Sequence, residues 1–561
     1  MASHFKWYPS SEEIVVPWNA RYSFPSQANK AVKMTPRIPP KAGQTFAPGQ
    51  IIRIEFPAQG YVNPTNTTLE FDVTLVGAAY NLPVADPQTA YAWYSTRFQN
   101  NIQSIFQRVR ILYGATPLED LLNYNIIVRC LTEWTSTNQT MSMDQTSIAE
   151  GIGGAIFATD AGGSEGIVHV RQNFIQGVSL NSTAPVNLTG GLASGSVPNG
   201  QSTLPGVVIP SASGPAAFAN AKYSTRRYQV NLATGLFTQD KLIPVKFMAS
   251  QLAIEITLEQ PKACIFHTEQ LDGAATRLTD PTYYVGNVNL IPEILEFDAS
   301  YDAMFLRGLR EGGVPIKFSS WHTFLFSSAQ ASNINLQIQE RSRSVKALFA
   351  VQRLSQPYYG QDMGATLFDT ASNGLSSLQS YQFRIGGRYF PAAPVQCALT
   401  LGSATTNGAA EAYVELQKAL NCVGDYRLST SANVLRWGQM ATSAGLLHDS
   451  DYNYSIVGFT QTGGNAGTGI PLITSSYAPK TNAFVTTVGS QCFAMAIDLE
   501  TSNGMEISGL NAEEQSDISL LAQWYAPQVS GGFVTASALE VYSYFDAMIV
   551  LRENNVLELI Q

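Results

Sequence analysis

The chain has 561 residues, 45% hydrophobic and 13% charged, with a formal net charge of −9. That length buries a large core and allows two to four domains. The negative balance argues against a general nucleic-acid binder, and a charge content far below the usual ~25% leaves the polar surface to Ser, Thr, Asn, Gln and Gly. Such a surface suits a protein packed against copies of itself, and equally an ordinary secreted protein of low charge. Cys130, Cys264, Cys397, Cys422 and Cys492 are odd in number and far apart, with no CxxC or Cys/His spacing. They indicate neither a zinc site nor a disulfide framework and read as buried thiols of a reducing compartment. No run of ~18 apolar residues suggests a membrane span. His4, Lys6, Glu12 and Glu13 interrupt any signal-peptide core.

Residues 1–45 read as an N-terminal arm. They hold Lys6, Arg21, Lys30, Lys33, Arg37 and Lys41 against Glu12 and Glu13, a local +4, while the remainder carries −13. An arm of this kind grips a neighbour, faces an anionic cargo, or is simply solvated. Ile52, Ile54 and Phe56 then mark one face of a strand. After a turn over Gly60 to Thr65, Leu69, Phe71, Val73 and Leu75 alternate with Glu70, Asp72 and Thr74 in a second strand. The formal sequon Asn66-Thr67-Thr68 reads as turn chemistry. Phe106 to Leu112 is a further strand. Thr116-Pro117-Leu118-Glu119 has the form of a capping box and predicts a short helix through Leu121, Leu122 and Ile126.

From Gln172 to Ala221 no charged residue occurs, and the stretch reads as long ordered loops with apolar anchors, a flexible linker being the alternative. Leu252, Ile254, Ile256 and Leu258 alternate with Ala253, Glu255, Thr257 and Glu259, a half-buried strand. The loop carrying Asp272-Gly273 and Asp280-Pro281 is expected to join two halves. Later strands are expected at 288–297, 314–318, 323–326, 345–351, 381–385, 493–499 and 541–551. Ala409 to Leu420 predicts a helix, with Tyr413, Leu416 and Leu420 on one stripe and Glu415 paired to Lys418. Asn511 reads as the cap of a second one. Many short strands and few helices predict sandwiches in tandem.

No catalytic or cofactor-binding motif emerges. The histidines form no HExxH, and there is no GxSxG elbow or Walker loop. Gly151 to Gly154 lacks the Lys-Ser/Thr of a phosphate loop, and 463–469 lacks a strand–helix context. His448-Asp449-Ser450-Asp451 offers too few oxygens for calcium and reads as a solvated turn. Arg341-Ser342-Arg343, with Lys346 and Glu340 beside them, reads as a salt-bridged strand entry, anion binding being the alternative. No catalytic, cofactor or metal residue is therefore assigned, and no small-molecule substrate.

Five segments carry a resemblance: Pro36 to Leu75, Gln339 to Arg353 (QERSRSVKALFAVQR), Tyr381 to Gln396 (YQFRIGGRYFPAAPVQ) with its downstream helix, Phe493 to Trp524, and the C-terminal YSYFDAMIVLRENNVLELIQ. They touch both halves, and they resemble the double jelly-roll major capsid proteins of double-stranded DNA viruses of the polinton-like and virophage type. The resemblance implies an all-β chain with few short helices, folded as two tandem eight-stranded jelly-roll β-sandwiches. The expected division is an arm at 1–45, a first roll at 46–270 with an uncharged insertion at 172–221, a linker at 271–284, and a second roll at 285–561. It also implies a structural, non-enzymatic subunit of the virion, assembled inside the host cell. Three copies would form a pseudo-hexagonal capsomer that tiles an icosahedral shell around DNA. Penton or vertex and minor capsid proteins would be partners, and the arm's Lys6, Arg21, Lys30, Lys33, Arg37 and Lys41 would face the genome or an inner layer. A carbohydrate-binding or carbohydrate-active sandwich, with Trp and Tyr as stacking platforms, is the alternative. An attachment fibre would show internal repeats, which are not apparent.

Overall fold

The computed structural model describes residues 31–135 apart from 77, 82–91 and 99–101, strands at 155–159, 165–169 and 207–208, then 223–354 apart from 272–275 and 329–332. It further describes 378–397, 410–422 and 493–561, apart from 501–507, 515–516, 525–536 and 553–556. Eight principal strands build the first half: β1 (Ala31–Met34), β2 (Ile51–Glu55), β3 (Tyr61–Val76), β4 (Phe106–Tyr113), β5 (Thr116–Leu122), β6 (Tyr223–Val230), β7 (Leu252–Leu258) and β8 (Thr282–Phe297). They pair antiparallel in two sheets, β1-β8-β3-β6 and β2-β7-β4-β5. Lettered B to I in chain order, the sheets read B-I-D-G and C-H-E-F.

The second half repeats this order. Its strands are β9 (Val314–Ser328), β10 (Asn333–Gln337), β11 (Val345–Leu354), β12 (Leu378–Ile385), β13 (Arg388–Gln396), β14 (Met495–Asp498), β15 (Ile518–Trp524) and β16 (Ser537–Leu551). The sheets are β9-β16-β11-β14 and β10-β15-β12-β13, again B-I-D-G and C-H-E-F. The chain is a double jelly roll. Sandwich packing follows from the alternation. In β7, Leu252, Ile254, Ile256 and Leu258 are buried while Glu255 and Thr257 lie toward the other face. Buried apolar residues of both rolls form one continuous core.

Three helices matter for the arrangement: α1 (Tyr124–Thr135), α2 (Ala299–Glu311) and α3 (Ala410–Ala419). Helix α3 agrees with its sequence pattern. Leu416 is buried, Tyr413 and Leu420 pack on the core, and Lys418 Nζ lies 2.5 Å from Glu415, although Glu415 is itself buried.

Several expectations are corrected. The division between the rolls lies further along the chain than 271–284. Strand β8 pairs with β3 from Thr282↔Val76 to Leu295↔Tyr61, so it is the last strand of the first roll. Residues 265–271 and 276–279 pair with 92–98 and 79–81, also within the first half. Asp280-Pro281 is thus a turn inside the first roll, helix α2 is the connector, and the second roll opens at Val314. The arm is also shorter than 1–45, because Ala31–Met34 already pairs with Met34↔Ile294 and its neighbours.

The capping-box helix is a strand. Thr116 to Leu122 pairs with β4, and the helix begins only at Tyr124. A strand partner on β4 outweighed the local capping signal. The predicted turn to Thr65 ends at Gly60, which has φ +64°; the chain then runs as one strand, with a register shift opposite Ile291/Glu293. Asn66 lies in that strand and donates to Glu293. Asn511 caps no helix; its side chain accepts from the Glu513 amide in a turn. The strands expected at 314–318 and 323–326 are one, β9. Gly151 to Gly154, 448–451, 463–469 and Cys492 lie outside the described residues, as does 172–221 except for Val207-Val208, which pairs with Ser95 and Tyr94. The other four cysteines are buried.

Candidate functional site at the seam between the rolls

The two rolls meet along a seam whose centre is Glu119 on β5. Its side chain is fully buried. Oε1 accepts from the Gly235 amide at 2.8 Å and from Ser320 Oγ of β9 at 2.7 Å, and Oε2 accepts from the Leu236 amide at 2.8 Å. Burial pushes its pKa above the ordinary carboxylate range, and the bonds from Ser320, Leu236 and Gly235 pull part of that back. Gly235 is required by proximity: a Cβ there would sit 2.0 Å from the Ser319 carbonyl oxygen. Around this centre Thr323 Oγ1 donates to the Leu122 carbonyl at 2.9 Å, and Asn123 Nδ2 to Glu540 on β16 at 3.0 Å. Asn123 adopts φ 54°, a region that Asn tolerates better than most residues.

Aromatic packing extends the join. Trp134 of α1 stacks on Phe349 of β11 with centroids 5.3 Å apart, and Trp321 continues the row to Tyr544. The connector is tied down as well. Asp298 caps α2 by accepting from the Tyr301 amide, and Asp302 accepts from Tyr61 OH at 3.0 Å and Lys246 Nζ at 2.5 Å. Phe247, Phe297, Tyr301 and Phe305 surround the Tyr61 ring edge-on. Buried polar contacts, aromatic stacking and a fastened connector make the two rolls one block rather than beads on a hinge.

On the outer face of the C-H-E-F sheet of the first roll, charges form a ladder. Lys41 contacts Glu55, Arg53 contacts Glu55 and Glu255, Arg110 contacts Glu255 and Asp120, and Arg108 grips Asp120 with two nitrogens. Each exposed pair stabilises little, but the alternation fixes which strands sit side by side.

The arm residues singled out in the sequence divide. Lys6, Arg21 and Lys30 lie outside the described residues. Lys33 pairs with Glu293, Arg37 with Glu70 and Lys41 with Glu55, so these three are held by acids of the first roll while more than half exposed. In the second roll, Arg343 pairs with Glu513, and Lys346 with Asp546 and Glu500, as a salt-bridged strand entry requires. Glu340 is buried and accepts from the Arg341 and Ser342 amides and Ser342 Oγ, with His322 Nδ1 3.3 Å from both its oxygens. Burial acts to raise its pKa, but the hydrogen bond and charge of His322 and the bond from Ser342 outweigh it and hold the value at about 2. Among the described residues no group of three or more His, Cys, Asp or Glu is placed to hold a metal ion.

No family model and no curated protein matches the chain. Among solved structures it is similar to the mavirus major capsid protein at 8% identity and TM-score 0.48, covering 100% of this chain and 94% of that one. It is similar to a chain of the PBCV-1 virus capsid at 10% and 0.46, covering 96% and 99%. It is also similar to a chain of the Sputnik virophage at 10% and 0.43, covering 97% and 91%. At such identities the likeness concerns the course of the chain, and the fold rests on the strand order of this chain itself.

The seam residues were not legible in the sequence. In the sequence Glu119 closes a capping-box pattern that Thr116 opens. The one available signal was an acid set among Leu118, Leu121 and Leu122, where a strand reading would have left its carboxylate buried and in need of donors.

Proposed function

We propose that this chain is the major subunit of a virus shell, a double jelly-roll capsid protein. The observation that carries the reading is the duplicated order B-I-D-G and C-H-E-F within one chain, locked at a buried seam. Jelly rolls serve several functions, viral shells among them. Two of them fused rigidly make a block with a fixed outline, which is what a tile needs. The low surface charge supports this, since contacts between tiles then desolvate few ions. The five resembling segments, which span both rolls, point the same way.

In this reading three copies close a ring through heterologous contacts, and the six rolls give a pseudo-hexagonal outline. Rings tile an icosahedral shell around a DNA genome, each contact weak and the sum strong. Vertex and minor capsid proteins fill the remaining positions. The arm's basic residues, Lys6, Arg21 and Lys30 among them, meet a neighbour, an inner layer or the genome. The chain acts by assembly rather than by catalysis. Light scattering on the purified protein, with negative-stain images of the same peak, tests this. A three-chain species with a six-cornered outline is expected. A protein that stays monomeric at high concentration and high salt overturns the reading.

A further inference from the structure

The seam opens on one side into a cleft of about 480 Å³, walled by Arg108, Asp120 and Leu122 of the first roll and by His322, Phe324 and Arg341 of the second. That volume is in the range of sites that take small ligands or short chain segments. Its side-chain carboxylates are already engaged, and Gln561 also lines it. Asp120 accepts two bonds from Arg108, and Glu340, at the back, accepts two backbone amides and the Ser342 hydroxyl and faces His322. Thr323 spends its hydroxyl on the Leu122 carbonyl. Arg341 differs: its guanidinium is exposed and has no carboxylate partner among the described residues, while its neighbours Arg343 and Lys346 are both paired. The cleft thus presents an uncommitted planar cation beside the apolar walls of Leu122 and Phe324.

We propose that this cleft binds a carboxylate-bearing peptide segment of another protein chain, the carboxylate on Arg341 and the aliphatic stem against Leu122 and Phe324. An arginine fork matches a carboxylate with two parallel hydrogen bonds. The apolar walls and the surrounding acids favour one carboxylate on a carbon stem over a polyanionic nucleic acid. Because both rolls line the cleft, the segment bridges the seam. The inference goes beyond shell formation and does not require it.

The test uses the full chain and a fluorescent peptide, blocked at both ends, with one glutamate between leucines, together with its glutamine twin. The glutamate peptide is expected to bind about tenfold tighter than the twin by anisotropy. Arg341→Ala and Arg341→Glu should erase that preference, and Arg343→Ala, outside the cleft, should keep it. Unchanged thermal unfolding of the Arg341 variants shows that they fold, as an exposed side chain predicts. Equal binding of the two peptides, or a preference that survives Arg341→Ala, overturns the proposal. So does an oligonucleotide that binds through Arg341 where the glutamate peptide does not. Binding is read on the isolated chain, so failure here leaves the capsid reading intact, and failure to form trimers leaves this one intact.

Discussion

At the residue scale the seam depends on a few groups with no substitute. Both oxygens of Glu119 accept, two of their three donors being main-chain amides. A Glu119→Gln change turns an NH2 toward one of those donors and should lower stability by about 1–3 kcal/mol, measured by urea unfolding. Gly235→Ala forces a Cβ against the Ser319 carbonyl and should cost about 3 kcal/mol or more unless the rolls separate. Glu340 makes stability pH-dependent. Its folded pKa, about 2, lies below the unfolded value near 4.3. Its contribution is therefore present above the unfolded value and is lost as pH falls toward 2, on the order of 3 kcal/mol in all. The stability difference between the wild type and Glu340→Gln should shrink as pH falls below the unfolded value and vanish near pH 2. None of these roles was legible: an isolated acid in a sequence does not reveal the donors that meet it.

At the element scale the strands with strict alternation were legible, β3 and β7 above all, because one buried face and one polar face suffice to specify them. Strand β5 was not, since Thr-Pro-x-Glu satisfies a helix N-terminus and only β4 as neighbour decides otherwise. Strand β1 is not legible because four residues, AVKM, carry no period; partners 260 to 266 residues later place them. This separates two truncations. Removing residues 1–30 leaves every described pairing in place. Removing 1–35 deletes β1 and the Lys33–Glu293 pair and should lower stability measurably in a thermal scan. Equal melting temperatures would show that β1 adds nothing to the sheet. The connector α2 makes a parallel case. Asp302→Ala frees Lys246 and the Tyr61 hydroxyl together and should loosen the helix from the first roll, seen as faster amide exchange over 299–311.

At the scale of the whole molecule the strand order and the seam decide what the chain can be. Low charge, many short strands and few helices were readable from composition and period, and they bounded the answer to a large β protein in tandem sandwiches. The boundary between the rolls is not legible because Asp280-Pro281 is a turn signal whatever it joins, and local chemistry does not say whether the next strand returns to the old sheet or begins a new one. Strand β8 returns, pairing with residues more than 200 positions earlier. If the rolls form one block through the seam, one cooperative calorimetric transition is expected, and Gly235→Ala should split it into two. A wild-type scan with two separate transitions would show the halves to be independent.

The sequence by itself determined the class of elements, because side-chain periodicity and turn residues act over a few positions. It also determined the poorly charged surface, which is a property of composition. The tertiary structure alone decided which strands are neighbours, where the first roll ends, that Glu119 is a buried acceptor, and that Arg341 stands uncommitted in a cleft between the rolls. Those are relations between residues hundreds of positions apart, and they exist only once the sheets close.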